Sequence, residues 1–481
     1  MSTRQIMCAI LTVSMVLGLF SAATVQWASA MSGQQDQEED NVKELIHQIR
    51  RDKFDIILPK IMRDHKIDMW IHVMRDGTID PMSDELGGNN GVFVFTDRGG
   101  DRIERAVIGH RWESPARRDI FGRIPYVDVV RECGAYDIIA EEFSRREMPG
   151  GPKTELDYRF NGVGEFVAER DPKRIGVNYL EEMGLPVEYE LPRERPDGIS
   201  YTDYKLLVKA LGEKYAKRLV SSEYLVYDYL SQRVPSEIEM FKKIREWSSE
   251  LLERDYNKIV PGVTKLRSLV TGGFARNTVD GNRKRGDYVI KRGDLIQLLM
   301  GRQSHHFMDP EWKFGNFYED LITYGYVLHE GETEPPPKIK RAWADALKVR
   351  KILEDNIKVG RTAGATLEIL KRKIEDAGFI YVNRQIFNKD LDPGKTQVPL
   401  DLHAAGKGNY APRIAPLGPD WQRDLILPPN HHFYFEYWVY VPMPEWGEGR
   451  YLSLQFHDGA MVTERGVEYF APPPTELHII H

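Results

Sequence analysis

Two residues suited to acid–base or metal chemistry occupy consecutive strand-like segments near the carboxyl end of this 481-residue chain. Glu436 lies in the aromatic run 432–440, and His457 ends the run 451–457. The turn-forming segment 444–449 separates the two runs, and positions 436 and 457 are symmetric about its centre. Residues with a constant position sum face each other in an antiparallel hairpin. We therefore expect Glu436 and His457 to be cross-strand neighbours.

A carboxylate among so many apolar neighbours needs a cation beside it. An unpaired charge at Glu436 would cost several kcal/mol or be protonated. Asp320 begins another strand-like segment, and His403 is followed by small residues that leave room for a ligand. Two carboxylates and two imidazoles suit Zn, Mn, Fe or Co. The sequence therefore predicts a metal site of Asp320, His403, Glu436 and His457. The alternative for Glu436 and His457 is a simple buried ion pair.

The elements around these residues indicate two domains, because 481 residues are too many for one core. Strand-like segments at 69–73, 91–95 and 174–178 and an amphipathic helix over 42–62 predict an α/β domain over 42–180. Residues 181–234 read as a helical connector that includes a helix from 201 to 219. The second domain is expected to span 235–481.

The second domain opens with a capping box, and it contains a helix-plus-turn pattern that occurs twice, here called the internal echo. Ser236 and Glu239 have the spacing at which Ser caps a helix, here predicted to run to about Arg254. Two similar turns, 257–264 and 355–362, each follow a long helix, and we expect Thr264 and Thr362 to cap the next helices. The echo predicts a pseudo-two-fold repeat within the domain.

The amino terminus and the charge balance restrict location and partners. Residues 1–30 combine an early Arg, an apolar run and an Ala-Ser-Ala ending, which predicts a signal peptide cleaved near Ala30 and an exported protein. An uncleaved membrane anchor is the alternative. Cleavage would leave Cys133 alone, so no internal disulfide is expected. The net charge of -7 argues against a nucleic-acid binder.

The second domain resembles the pita-bread-fold peptidases, which include Xaa-Pro aminopeptidase, prolidase, methionine aminopeptidase and the metal-free relative creatinase. The resemblance covers about 230–481 and depends on the order of several segments. These are Pro-Ser-Glu-Ile-Glu at 235–239, both Gly-Thr turns, Gly-Asp-Leu at 293–295, Gly-Glu-Thr at 331–333, the Glu436 strand and 462–468. Residues 171–177 are similar to the end of the creatinase-like N-terminal domain.

The resemblance implies an α/β creatinase-like domain followed by an α+β pita-bread domain, a homodimer, and a small peptide or amide as substrate. It also implies two metals held by two Asp, one His and two Glu. Here Asp320, His403 and Glu436 match three of these ligands, His457 replaces the second Glu, and Leu299 replaces the first Asp.

The first Asp has one alternative, Asp309, which lies 11 residues before Asp320. Its use requires an insertion of about ten residues that carries His305 and His306. The substrate-binding His that the family usually has a few residues after His403 is absent here, and Arg413 lies in that neighbourhood. With fewer ligands and less charge, a two-metal site is not expected. Three functions remain: a hydrolase with one metal, a metal-free hydrolase in which His403 acts as general acid or base, or a catalytically silent binding protein.

Overall fold

The computed structural model describes residues 44–75, 80–88, 90–110, 129–141, 160–183, 197–269, 271–277, 281–300, 320–383, 386–404, 412–416 and 420–481. The predicted signal peptide and Asp309 lie outside these residues. In the part of the chain that the structure describes, no helix has both the length and the apolar character needed to cross a membrane.

The amino-terminal part is a six-stranded mixed sheet in the order β4-β3-β2-β1-β5-β6. Its strands are β1 (Met69–Met74), β2 (Gly91–Asp97), β3 (Ile103–His110), β4 (Ile138–Glu141), β5 (Ile175–Val177) and β6 (Leu219–Ser221). The three strands predicted here are confirmed within a few residues. The strand β6 pairs with β5, so the segment predicted as a connector also supplies an edge strand of this sheet.

Helices pack on both faces of this sheet, where apolar side chains from β1 and β2 are buried on either side. The helices of this part are α1 (residues 44–52), a π-helical turn (Lys53–Ile57), α2 (Leu58–Asp64), α3 (Ser83–Leu86), α4 (Val129–Glu132), α5 (Val163–Arg170), α6 (Tyr201–Ala216) and α7 (Glu223–Ser231). The helix α6 ends three residues before its predicted end, and Gly212 interrupts it with a φ of 69°.

The carboxyl-terminal part contains two further sheets. One has the order β17-β10-β9-β7-β8, and the other has β11-β12-β14-β15-β16 with β13 paired to β14. The strands are β7 (Gly272–Asn277), β8 (Arg283–Lys284), β9 (Asp294–Met300), β10 (Leu321–Val327), β11 (Ile380–Tyr381), β12 (Gln397–Val398), β13 (His403–Ala404), β14 (His431–Pro442), β15 (Tyr451–Thr463), β16 (Gly466–Tyr469) and β17 (His478–Ile480).

Among its described residues this part also has the helices α8 (Pro235–Asn257), α9 (Pro337–Asn356), α10 (Ala363–Asp376) and α11 (Asp420–Asp424). Short 3-10 helices occupy Leu266–Ser268 and Pro444–Trp446. One apolar core joins α9 and α10 to the inner faces of both sheets. This shared core holds the two sheets together, and β10 lies against β15.

The predicted capping box at Ser236 is wrong. The helix α8 begins one residue earlier, at Pro235, and no side chain caps it. Proline fits the first helical position, since its missing N–H would have no helical partner there. Ser236 lies inside the first turn, and its hydroxyl donates to Asp52 Oδ2 at 2.5 Å. The Ser236 hydroxyl therefore makes a tertiary hydrogen bond to Asp52 and does not cap the helix.

The two turns of the internal echo differ in what their threonines do. Thr362 caps α10, because its hydroxyl accepts from the backbone N–H of Ala365 at 3.1 Å. Thr264 caps no α-helix; its hydroxyl accepts from the Val260 N–H at 2.8 Å, and only a 3-10 turn follows. The cap prediction is therefore confirmed at Thr362 and wrong at Thr264.

Replacing Thr362 with alanine is expected to lower the free energy of unfolding by about 1 kcal/mol, because one N–H of the first turn of α10 loses its acceptor. Urea denaturation would measure the change. Thr362→Ser keeps the hydroxyl and should remain near the wild type. Equal losses in both variants would mean that the methyl group of Thr362, and not the cap, stabilises this turn.

Candidate metal centre

The hairpin β14–β15 positions two of the predicted site residues. Its strands are joined through the turn Pro444–Trp446 and Gly447, which has a φ of 117°. The register places Glu436 directly opposite His457, as the position sum predicts. One face of this hairpin packs into the apolar core, and Glu436 and His457 lie on the other.

A third strand brings His403 to the same place. The two-residue strand β13 pairs with β14 so that His403 lies opposite Tyr434. Its Nε2 is 3.3 Å from Glu436 Oε2. One potential ligand atom from each of His403, Glu436 and His457 lies within 4.8 Å of the others. Three of the four predicted ligands therefore converge.

Asp320 touches this cluster from the other sheet. It immediately precedes β10, and its Oδ2 is 3.5 Å from Nδ1 of His457. The backbone N–H of Asp320 donates to the hydroxyl of buried Tyr434 at 3.0 Å, which ties the start of β10 to β14. Asp320 is not among the three residues whose ligand atoms converge. Its contact suits a carboxylate that orients His457.

The two imidazoles each turn one ring nitrogen toward a carbonyl or a carboxylate. His403 Nδ1 donates to the backbone carbonyl of Ala404 at 2.8 Å, so Nε2 faces Glu436. His457 has Nδ1 toward Asp320, and its buried Nε2 has no hydrogen-bond partner among the described residues. Metal-binding histidines usually direct their second nitrogen to a carbonyl or carboxylate in this way.

A cation between His403 and Glu436 is required by the same geometry, because a neutral His403 would direct a lone pair at the carboxylate. Burial by itself would lower the pKa of His403, but the hydrogen bond and charge of Glu436 outweigh it and raise that pKa. Burial likewise opposes ionisation of Glu436, yet the charges of His457 and His403 lower its pKa. The pair therefore holds either a proton or a metal ion.

Two imidazole nitrogens and one carboxylate oxygen, with a second carboxylate at hand, form a donor set that Zn and related divalent metals accept. The residues present therefore fit one metal ion. Leu299, the residue that the sequence analysis put at the position of the first Asp, offers no ligand atom. That side chain lies on β9 opposite Ile322 and packs against the apolar core.

Arg413 has an ion-pair partner close to the site. Its guanidinium forms a two-pronged contact with Asp401, with N–O distances of 2.6 and 2.7 Å. The charge of Asp401 also contributes to the raised pKa of His403. The backbone N–H of Asp401 donates to the Glu436 carbonyl at 2.9 Å. This pair stiffens the strand that carries His403.

Sequence reasoning missed two residues that hold the site. Gln455 Nε2 donates to Glu436 Oε1 at 3.2 Å, and Tyr434 packs its ring 4.5 Å from that of His457. Both stand two residues before a predicted ligand, so strand alternation puts them on the same face. That period-two spacing is the signal that could have identified them.

Comparison with known proteins finds similar solved structures but no similar sequence family. No family model matches the sequence, and no curated protein matches it. Among solved structures, the chain is similar to an X-Pro aminopeptidase from Thermotoga maritima MSB8, with 15% identity and a TM-score of 0.52, covering 88% of this chain and 100% of that one.

Two further solved structures agree with this similarity. The Xaa-Pro dipeptidase from Bacillus anthracis is 16% identical with a TM-score of 0.50, over 90% of this chain and 100% of its own. Dipeptidase PepE from Mycobacterium ulcerans is 13% identical with a TM-score of 0.51, over 90% of this chain and 98% of its own. At these identities the likeness establishes the fold. The chain therefore has the pita-bread fold of the Xaa-Pro aminopeptidases and dipeptidases.

Proposed function

We propose that this protein is an exported hydrolase of the pita-bread fold that acts on small peptides or amides with one divalent transition metal, Zn, Mn, Fe or Co. The convergence of His403, Glu436 and His457 carries this proposal. The fold supports the peptide substrate, since the similar solved structures are an aminopeptidase and dipeptidases. Cleavage of a signal peptide near Ala30 and a homodimer belong to the same proposal.

The finer architecture is also proposed. The amino-terminal sheet would be a creatinase-like domain over 42–180, and the part from 235 onward would hold two pseudo-symmetric halves. Each half has a long helix, α8 or α9, followed by a sheet. The shared helix-then-sheet order supports the repeat, while the different roles of Thr264 and Thr362 mark where the halves have diverged.

In this function His403, Glu436 and His457 would hold the ion, which when bound polarises a carbonyl and lowers the pKa of water. Asp320 faces Nδ1 of His457 at 3.5 Å and so fixes the orientation of this imidazole. The amide of Gln455 fixes one oxygen of Glu436, so the other remains directed at His403. These contacts hold the donor atoms in place before a substrate arrives.

A metal-free hydrolase is the second candidate, and the His403–Glu436 contact favours it. The raised pKa of His403 keeps a proton on Nε2 beside a carboxylate, which is the state that a general acid needs. A catalytically silent binding protein is the third candidate, and the apolar Leu299 on β9 favours it, because that position cannot hold a second metal.

Metal analysis of the purified protein tests the proposal. We expect about one transition-metal ion per chain, and we expect His457→Ala to weaken metal binding at least about tenfold, because even orienting partners of a ligand contribute that much. Elemental analysis after dialysis against Zn or Mn measures occupancy. His329→Ala, which removes an exposed imidazole, is the matched control. If metal occupancy is unchanged in His457→Ala, then His457 is not a ligand and is only a structural partner of Glu436.

Activity separates the three candidates. With the proposed function, hydrolysis of Xaa-Pro peptides stops on chelation and returns with metal. Activity that survives chelation and disappears in His403→Ala identifies the metal-free hydrolase. No turnover with any of the four metals, in protein that binds peptide, identifies the silent binding protein. A protein that retains no metal after dialysis is not a metallohydrolase.

A further inference from the structure

We propose that Arg276 and Arg283 form a subsite for the carboxylate end of a short peptide, several residues away from the candidate metal centre. The proposed hydrolase function supplies the peptide nature of the ligand, whereas the anionic end is inferred from the two arginines. The subsite lies on β7 and β8, at one end of the face that carries Asp320.

Strand register puts both arginines on that face. Arg276 pairs with Arg283 across the hairpin β7–β8, so the two side chains lie side by side. Two residues earlier, Phe274 pairs with Gln297, whose side-chain oxygen accepts from the Tyr324 hydroxyl at 2.9 Å. Alternation along the strand therefore puts Arg276 on the same side of the sheet as Tyr324.

The two guanidinium groups have no carboxylate within 4 Å among the described residues. Arg276 donates Nη1 to the Gly281 carbonyl at 2.8 Å, while its buried Nε has no hydrogen-bond partner in the described part of the chain. The Arg283 guanidinium stacks 3.5 Å from the Phe274 ring centroid. Burial lowers the pKa of Arg276, and the charge of Arg450 lowers it further. Positive charges held together in this way are stabilised by a bound anion.

A half-exposed path on the opposite sheet leads from the metal centre toward these arginines. On β15, Gln455, Ser453 and Tyr451 precede His457 on the same face, and all three are half-buried. The Tyr324 hydroxyl bridges the sheets, because it donates to Gln297 and accepts from the Gln455 backbone N–H at 2.7 Å. Arg276 is close enough to Tyr324 and Tyr451 to interact electrostatically with both.

The length of this path sets the size of the ligand. Tyr451 lies six positions before His457 on β15, which is about 20 Å of strand. An extended peptide covers that distance in about five or six residues, and the reach of an arginine side chain shortens it to about four or five. A dipeptide held at the metal centre is too short to reach Arg276.

The test compares a peptide acid with its C-terminal amide. The probes are Ala-Pro-Ala-Ala-Phe as acid and as amide, each with the first peptide bond replaced by a non-hydrolysable methyleneamine, titrated calorimetrically into the purified full-length protein. We expect the acid to bind about tenfold more tightly, because charge-assisted hydrogen bonds exceed neutral ones. Arg276→Met and Arg283→Gln should each remove most of this difference. Arg372→Gln, an exposed arginine on α10, should keep it.

Equal affinity of acid and amide in the wild type, or no binding of either peptide, would overturn the proposal. So would an acid preference that survives in Arg283→Gln, a variant of an exposed residue that keeps the assay informative if Arg276→Met does not fold. The reduced Ala-Pro dipeptide should show no acid preference. If the protein prefers the peptide acid but does not hydrolyse Xaa-Pro peptides, the subsite stands and the proposed hydrolase function is rejected. If it hydrolyses Xaa-Pro peptides but binds acid and amide equally, the hydrolase function stands and the subsite is rejected.

Discussion

Replacing Asp458 with alanine is expected to lower the free energy of unfolding by about 3–5 kcal/mol, since it leaves buried cations without their carboxylate. Asp458 follows His457 on β15, and its side chain is 1% exposed. Its two oxygens contact Arg245 on α8 at 3.1 Å and Arg350 on α9 at 3.4 Å. Both arginines are buried, so the ion triad ties two long helices to the strand that carries the site.

Urea denaturation of Asp458→Ala measures this loss. The matched control is Asp355→Ala, which breaks an exposed pair with Lys351 and should leave the denaturation midpoint nearly unchanged. Asp458→Asn, which keeps the shape but not the charge, should fall between the wild type and the alanine variant. Similar midpoints for Asp355→Ala and Asp458→Ala would show that the triad contributes nothing beyond an exposed ion pair.

Acid is expected to destabilise this protein strongly, because His431 is buried in its neutral form. Burial lowers its pKa from 6.5 to about 3, and its Nδ1 donates to the Ser231 carbonyl at 2.8 Å. A depressed histidine pKa means that the unfolded chain takes up the proton first. Stability is therefore complete above pH 6.5 and is lost as the pH falls toward 3.

As the pH falls from 6.5 to 5, the titration of His431 alone should lower the free energy of unfolding by about 2 kcal/mol. Burial also lowers the pKa of His432, so that residue acts in the same direction. Urea denaturation at half-unit pH steps gives the slope. His431→Asn keeps a donor for Ser231 but does not titrate, and its slope should be smaller by about one proton. The same slope in both proteins would contradict this assignment.

The hairpin β14–β15 shows how much of the site could be predicted. Its turn residues and alternation are local, so the Glu436–His457 register followed from position counting alone. His403 and Asp320 were chosen by residue type and by resemblance, and their contacts at 3.3 and 3.5 Å depend on how three strands meet. Whether Asp320 binds the ion or orients His457 is a difference of orientation that residue spacing does not encode.

Local motifs failed where a distant partner competed for the same atom. Ser236 had the spacing of a cap, yet Asp52, 184 residues away, takes its hydroxyl. Thr264 and Thr362 stand in similar turns, but an α-helix follows only the second. A capping hydrogen bond is worth about 1 kcal/mol, so a half-buried tertiary contact of similar strength can displace it.

The sequence by itself determined most strands and helices and the facing pair Glu436–His457, and the order of its motifs carried the resemblance to the pita-bread fold. Each of these follows from periodicity, from turn chemistry or from the order of motifs, which are properties of neighbouring residues. Only the tertiary structure decided which imidazole contacts Glu436, that Asp458 holds two helices, and that Arg276 and Arg283 pair across a hairpin. These contacts join residues far apart in the chain, and their energies depend on burial and distance that no local pattern specifies.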